Sequence, residues 1–218
     1  MSKLHVISDT HFGHENVAKH RGFSCAQEMD EHIIENWNKT VSKKDVIWLL
    51  GDITMEKGDY SILSRLNGML KFVLGNHDQP NHTKRLLEYS GSLAGAIKLR
   101  DCIFTHIPIH PQEFRKFKFN IHGHVHHNTV PDNRYINVCC EAIGYTPAEI
   151  DKLILNREYH NWIQFRNEGK DKWGERLCYC GHTNRCDCAD PTIKMFKESI
   201  ERKTIIPNDP NNGWKPLK

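Results

Sequence analysis

With 218 residues, 38% of them apolar, the chain can bury one substantial core and carry a small appendage. Its formal charge of +3 permits a polyanionic partner without demanding one. No apolar stretch approaches the ~20 residues that cross a bilayer, and the first residues enter a strand-like run with no long signal-type apolar region. No membrane partner is therefore expected, and a reducing cytoplasm is the expected location.

The first apolar run, residues 4–8, predicts a buried strand and ends at Asp9-Thr10-His11. Residues 28–41 set Met29, Ile33 and Trp37 at steps of four, with Ile34 beside them, which predicts an amphipathic helix. The next run, residues 46–50, ends at Gly51-Asp52. Residues 72–74 lead into Gly75-Asn76-His77-Asp78, and a shorter helix over residues 80–89 follows, with Pro80 tolerated in its first turn. Residues 102–105 deliver Thr105-His106, and residues 117–121 deliver His122 and then Gly123-His124-Val125-His126. A strand over 135–139 and a helix beginning near Pro147, with Ile150, Leu153 and Ile154, close a domain of residues 1–158.

Strand, polar loop, helix, strand is the rhythm of an α/β domain, in which ligands gather beyond the carboxyl ends of strands. All five polar signatures fall there, whereas scattered surface histidines would not follow five separate apolar runs. A two-metal hydrolase holds its ions roughly 3.5–4 Å apart and needs a bridging carboxylate with mixed oxygen and nitrogen donors. In an extended segment residues two apart share a side, so Asp9 with His11, and His124 with His126, are each expected to face one ion. The glycines before Asp52, Asn76 and His124 are expected to allow sharp turns.

In this set and order the signatures resemble the calcineurin-like metallophosphoesterases, over residues 4–157. The resemblance implies an α/β fold, a four-layer α-β-β-α sandwich of two mixed sheets, of the compact type without a large cap domain. It implies that Asp9, His11, Asp52 and His126 hold one ion. Asp52 would bridge to a second ion completed by Asn76, His106 and His124. A hydroxide between the ions would attack phosphorus in line, and His77, which is not a ligand in the family, would stabilise the developing charge or protonate the leaving oxygen. The donor set suits Mn²⁺, Fe²⁺ or Zn²⁺.

His14 is a candidate substrate contact or a loop histidine in water; His110 is a weaker candidate of the same kind. His122 is expected to orient a ligand or a loop, Asp78 pairs with His77 only if adjacent residues can face each other, and His127 is expected to be exposed. Arg115-Lys116-Phe117-Lys118-Phe119 alternates charge and ring, as single-stranded nucleic-acid sites do. A half-buried strand with a solvated face has the same pattern and is preferred.

From residue 159 the texture changes. Four of the eight cysteines, Cys178, Cys180, Cys186 and Cys188, fall together with His182 between them. They offer ligands for one structural zinc, although Cys-x-Cys pairs are tighter than the usual spacing. Free thiols on a polar loop and an iron–sulfur centre are the alternatives. Residues 159–218 thus read as a Cys-rich extension suited to recruiting a partner or nucleic acid.

The expected function is hydrolysis of phosphate esters, with phosphodiesters of nucleotide-like or nucleic-acid substrates favoured because a compact core leaves the site open. A broad phosphomonoesterase is the alternative, followed by a non-catalytic scaffold of the same fold. A missing ligand or catalytic histidine would mark the scaffold, and none is missing.

Overall fold

The computed structural model describes residues 2–54 and 59–168, with side chains through Asn161. In chain order its elements are β1 (Leu4–Ile7), α1 (Glu15–His20), α2 (Ala26–Thr40), β2 (Val46–Leu50), β3 (Met69–Val73), α3 (Thr83–Tyr89), β4 (Leu93–Ala94), β5 (Ala96–Leu99), β6 (Cys102–Thr105), β7 (Phe119–His122), β8 (Tyr135–Asn137), β9 (Ala148–Glu149) and α4 (Ile150–Glu168). They build the mixed α/β fold with two sheets. One has the order β4-β3-β2-β1-β9, parallel except for β9; the other is β5-β6-β7-β8, parallel except for β5. No helix among the described residues is long and apolar enough to cross a membrane.

The central strands are buried on both faces, which is why their sequences are continuous apolar runs and not alternations. Val6 and Ile7 on β1, Ile47, Leu49 and Leu50 on β2, and Phe72 and Val73 on β3 are all closed to solvent. Helix α2 buries Met29, Ile33, Ile34 and Trp37, the expected stripe. Trp37 Nε1 also donates to the Asn67 carbonyl at 2.8 Å, so α2 is tied to the turn that feeds β3.

Several boundaries move for local reasons. The strand expected over 117–121 begins at Phe119, because Pro111–Lys116 forms a 3₁₀ helix capped by Phe117, and the Lys118 N–H then donates to Asp101. The helix expected from Pro147 begins at Ile150, because Ala148 and Glu149 first pair with Val6 and His5 at the edge of β1. That helix is continuous across residue 158.

Candidate metal centre

The loops that follow β1 and β2 stay hydrogen-bonded after the strands end. Asp9 N–H donates to Gly51, His11 N–H to Asp52 and Phe12 N–H to Ile53, at 2.9–3.1 Å. This close pairing is achieved in an unusual backbone conformation. Asp9, His11, Asp52, His124 and His126 all have positive φ, between 48° and 70°. Asp9 and His11 do come together as expected, but through left-handed and not extended backbone, whereas His124 and His126 part to different groups of donors. Each such non-glycine residue costs on the order of 1–2 kcal/mol, and five at one site are sustained only by the bonds that surround them.

The glycines are needed mainly for space. Only Gly51, at φ +88°, has the left-handed backbone expected of a turn glycine here. A Cβ on Gly75 would run into the Asp52 carboxylate and backbone nitrogen, and one on Gly123 into Ser8 Oγ and the Asp9 carboxylate.

Asp9, His11 and His126 form one cluster of donor atoms, and Asp52, His106 and His124 a second, each within 4.8 Å. In the first, Asp9 Oδ2 accepts from Ser8 Oγ at 2.6 Å, His124 N–H at 2.9 Å and the Cys139 thiol at 3.2 Å. Its Oδ1 is buried without a hydrogen bond, as are both ring nitrogens of His11. His11 Nε2 lies 3.8 Å from Asp9 Oδ1 and 3.8 Å from Asp52 Oδ2. Those gaps are too long for hydrogen bonds, yet suit two donors that each sit about 2.1 Å from one ion. Burial lowers His11 to about 4, outweighing Asp9 and Asp52, so its imidazole is neutral at pH 7 and has a lone pair to give.

In the second cluster His106 Nδ1 donates to the Leu50 carbonyl at 2.7 Å. In neutral imidazole Nε2 is then an acceptor, and it faces Asn76 Oδ1 at 2.9 Å, Asp52 Oδ2 at 3.3 Å and His124 Nδ1 at 3.3 Å. Several acceptors converging on one point call for a cation between them, either a proton on His106 or a metal. Burial raises the Asp52 carboxyl, but the His106 bond, the His106 charge and the His77 N–H outweigh it and hold Asp52 near 2. The donor chemistry of both clusters therefore fits divalent metal ions.

The remaining expected site residues fall in different places. His77 is half-buried at the rim, its N–H donating to Asp52 Oδ1 at 2.9 Å and its ring 5.7 Å from that of His11. Asp78 accepts from backbone and does not pair with His77. His14 caps α1, its Nδ1 accepting from Val17 at 3.4 Å, with its ring 5.9 Å from His11. His122 is buried and its Nδ1 donates to the Gly123 carbonyl at 2.9 Å. His110 is exposed and caps the 3₁₀ helix of residues 111–116. Arg115 and Lys116 lie in that helix, and Lys118 precedes β7, so these charges stand at the strand's amino end, opposite the end that carries the site. The Cys178, Cys180, His182, Cys186 and Cys188 cluster lies outside the described residues.

Two residues at the site carried no motif. Arg21, its side chain 2% exposed, donates through Nη2 to the Asp9 carbonyl at 2.7 Å, through Nη1 to Thr10 at 3.2 Å and through Nε to Glu141 at 2.8 Å. Glu141 Oε1 also accepts from His126 Nδ1 at 2.9 Å. Burial raises Glu141, yet His126 and Arg21 outweigh it and hold the carboxylate near 2. One signal was available: Glu141 stands two residues beyond the strand expected over 135–139, close to the strand-end position occupied by the five signatures.

The profile of calcineurin-like phosphoesterases matches residues 2–203, and the chain belongs to that family of metal-dependent hydrolases acting on phosphate esters. It is 35% identical over 170 residues to the uncharacterized protein MJ1445 of Methanocaldococcus jannaschii, covering 71% of this chain and 90% of the relative. It is 28% identical over 183 residues to the gene 66 protein of Mycobacterium phage D29, covering 65% of this chain and 89% of the relative. Among solved structures it resembles AQ665 of Aquifex aeolicus, a protein of unknown function, with TM-score 0.57 and 26% identity over 70% of this chain and 100% of that one.

Proposed function

We propose that the chain is a dinuclear-metal phosphodiesterase acting on nucleotide-like or nucleic-acid phosphodiesters. The observation that carries the dinuclear part is the position of Asp52 Oδ2, which faces His11 Nε2 at 3.8 Å and His106 Nε2 at 3.3 Å, one from each cluster. On this basis Asp9, His11, His126 and Asp52 hold one ion, and Asp52, Asn76, His106 and His124 hold the other. Mn²⁺, Fe²⁺ and Zn²⁺ all suit these donors.

Bound divalent cations supply Lewis acidity toward the phosphoryl group and make water a stronger nucleophile at neutral pH. The protein's own groups do the rest. His77, anchored through its N–H to Asp52, presents its ring at the rim, where an imidazolium can pass a proton to the leaving oxygen as the P–O bond breaks. Access favours diesters: Asn76 is exposed, His77 and His124 are partly so, and a diester needs room for a substituent on each side of phosphorus.

The test is hydrolysis of bis-p-nitrophenyl phosphate against p-nitrophenyl phosphate with added Mn²⁺. The diester should turn over faster, and His77→Ala should lower its kcat by roughly 10²–10⁴-fold. Faster turnover of the monoester would make the protein a phosphomonoesterase. No turnover of either, in any divalent metal, would make it a scaffold.

A further inference from the structure

We infer that Glu141, held in place by Arg21, is a positioning residue that orients His126 toward the first metal ion; this rests on the proposed role of His126 as a ligand. The geometry is a chain of direct bonds. His126 Nδ1 donates to Glu141 Oε1 at 2.9 Å, which fixes the ring plane and leaves Nε2 as the nitrogen facing Asp9, 4.0 Å from Oδ1. Glu141 is itself fixed by Arg21 Nε at 2.8 Å. A carboxylate that takes the far N–H of a ligand histidine selects the tautomer and makes the near nitrogen more basic.

Arg21 links this bond to the other side of the same cluster. Its Nη2 and Nη1 hold the carbonyls of Asp9 and Thr10, the strained turn that presents Asp9 and His11. The guanidinium also lies 5.8 Å from the Tyr145 ring centre and 3.4 Å from Met29 Sδ, so it has little freedom to move. Lysine could not reproduce this arrangement, because a single ammonium cannot present a planar fork to three separate acceptors. Arg21 and Glu141 are 120 residues apart in the sequence, and the pair fixes two ligand-bearing loops relative to each other.

The experiment uses the full chain, with Mn²⁺ as the probe, in titration calorimetry and in diester kinetics at low and saturating Mn²⁺. Glu141→Ala should weaken one of the two Mn²⁺ sites by about 10–100-fold, and Arg21→Lys should act in the same direction. Glu141→Gln, which keeps an oxygen for His126 Nδ1, should recover most of the affinity. In all three variants KM should stay within about twofold and kcat should recover as Mn²⁺ is raised, which a general loss of folding would not produce. If Glu141→Ala binds both ions with affinity within about twofold of the parent, while His126→Ala loses one site, the positioning role is wrong and the ligand role stands. If His126→Ala keeps both sites intact, the ligand role is wrong and the inference fails with it.

Discussion

Asp78 holds Asp52 through the backbone: Asp78 Oδ2 accepts the Asp52 N–H at 2.9 Å. The same oxygen accepts the Gly75 N–H at 2.8 Å, and Oδ1 accepts that of Ile53 at 3.1 Å. One carboxylate thus ties the loop after β2 to the loop after β3, with left-handed Asp52 between them. Asp78→Asn would turn an amide donor toward at least one of these buried N–H groups. The variant should lose about 2 kcal/mol of stability and on the order of tenfold in kcat, through displaced Asp52. Thermal melts and bis-p-nitrophenyl phosphate kinetics check both, and an Asn variant equal to the parent in each would show that the bracket is dispensable.

Gly75 and Gly123 stand where a side chain would displace a carboxylate. Gly75→Ala would press on Asp52 and Gly123→Ala on Asp9, whereas a Cβ on Gly91 meets nothing within 4 Å. The first two should each destabilise the protein by about 1–3 kcal/mol and weaken Mn²⁺ binding. Gly91→Ala should stay within about 0.5 kcal/mol. Mn²⁺ titration of the three variants side by side separates crowding at the site from the general effect of replacing a glycine.

Which parts of this architecture could be read in advance follows from where each element buries its residues. Strands β1, β2 and β6 appear as apolar runs because both their faces are covered, and α2 appears because Met29, Ile33 and Trp37 share one stripe. Strand β5 alternates half-buried and exposed positions and includes Lys98, β4 and β9 have two residues each, and α1 buries only Ala18. None of these carries enough period to be seen. At the site, motif order showed which polar residues follow strands, since that depends on local chain direction. The left-handed turn at Asp9 and His11 was not legible, because it is sustained by Gly51, Asp52 and Arg21 from other segments. The bond between Arg21 and Glu141 has no local pattern for the same reason.

Asp30, on α2, accepts the Gly13 N–H on both carboxylate oxygens at 3.1 Å. Burial raises its pKa from 3.8 to about 6, against the opposing pull of the Gly13 bond. The unfolded chain therefore releases this proton first as pH rises. Between 3.8 and about 6 the stability contributed by Asp30 falls with rising pH, and above that window the full cost of the buried charge remains. Because the carboxyl still touches solvent, a discounted cost of about 1 kcal/mol is expected. Asp30→Asn, which keeps an oxygen for Gly13, should be more stable than the parent by that amount at pH 7.5, with the gain shrinking toward pH 4. Urea melts across this range would contradict the assignment if the difference were constant or grew at low pH.

Asp52 Oδ2 faces a histidine of each donor cluster, so replacing Asp52 distinguishes two coupled ions from two independent ones. The parent, stripped by chelator and titrated with Mn²⁺, should bind two ions and gain about 2.7 kcal/mol of stability for each ion when free Mn²⁺ is a hundredfold above that site's dissociation constant. Asp52→Asn keeps the size of the side chain but removes the negative charge shared by the ions. Both sites should weaken together, and the stabilisation by Mn²⁺ should fall to a fraction of the parent's. Loss of one site with the other unchanged would mean that Asp52 serves a single ion, and unchanged binding at both would remove it from the ligand set. Calorimetric stoichiometry together with the Mn²⁺-dependent shift in Tm reads these outcomes without reference to any substrate.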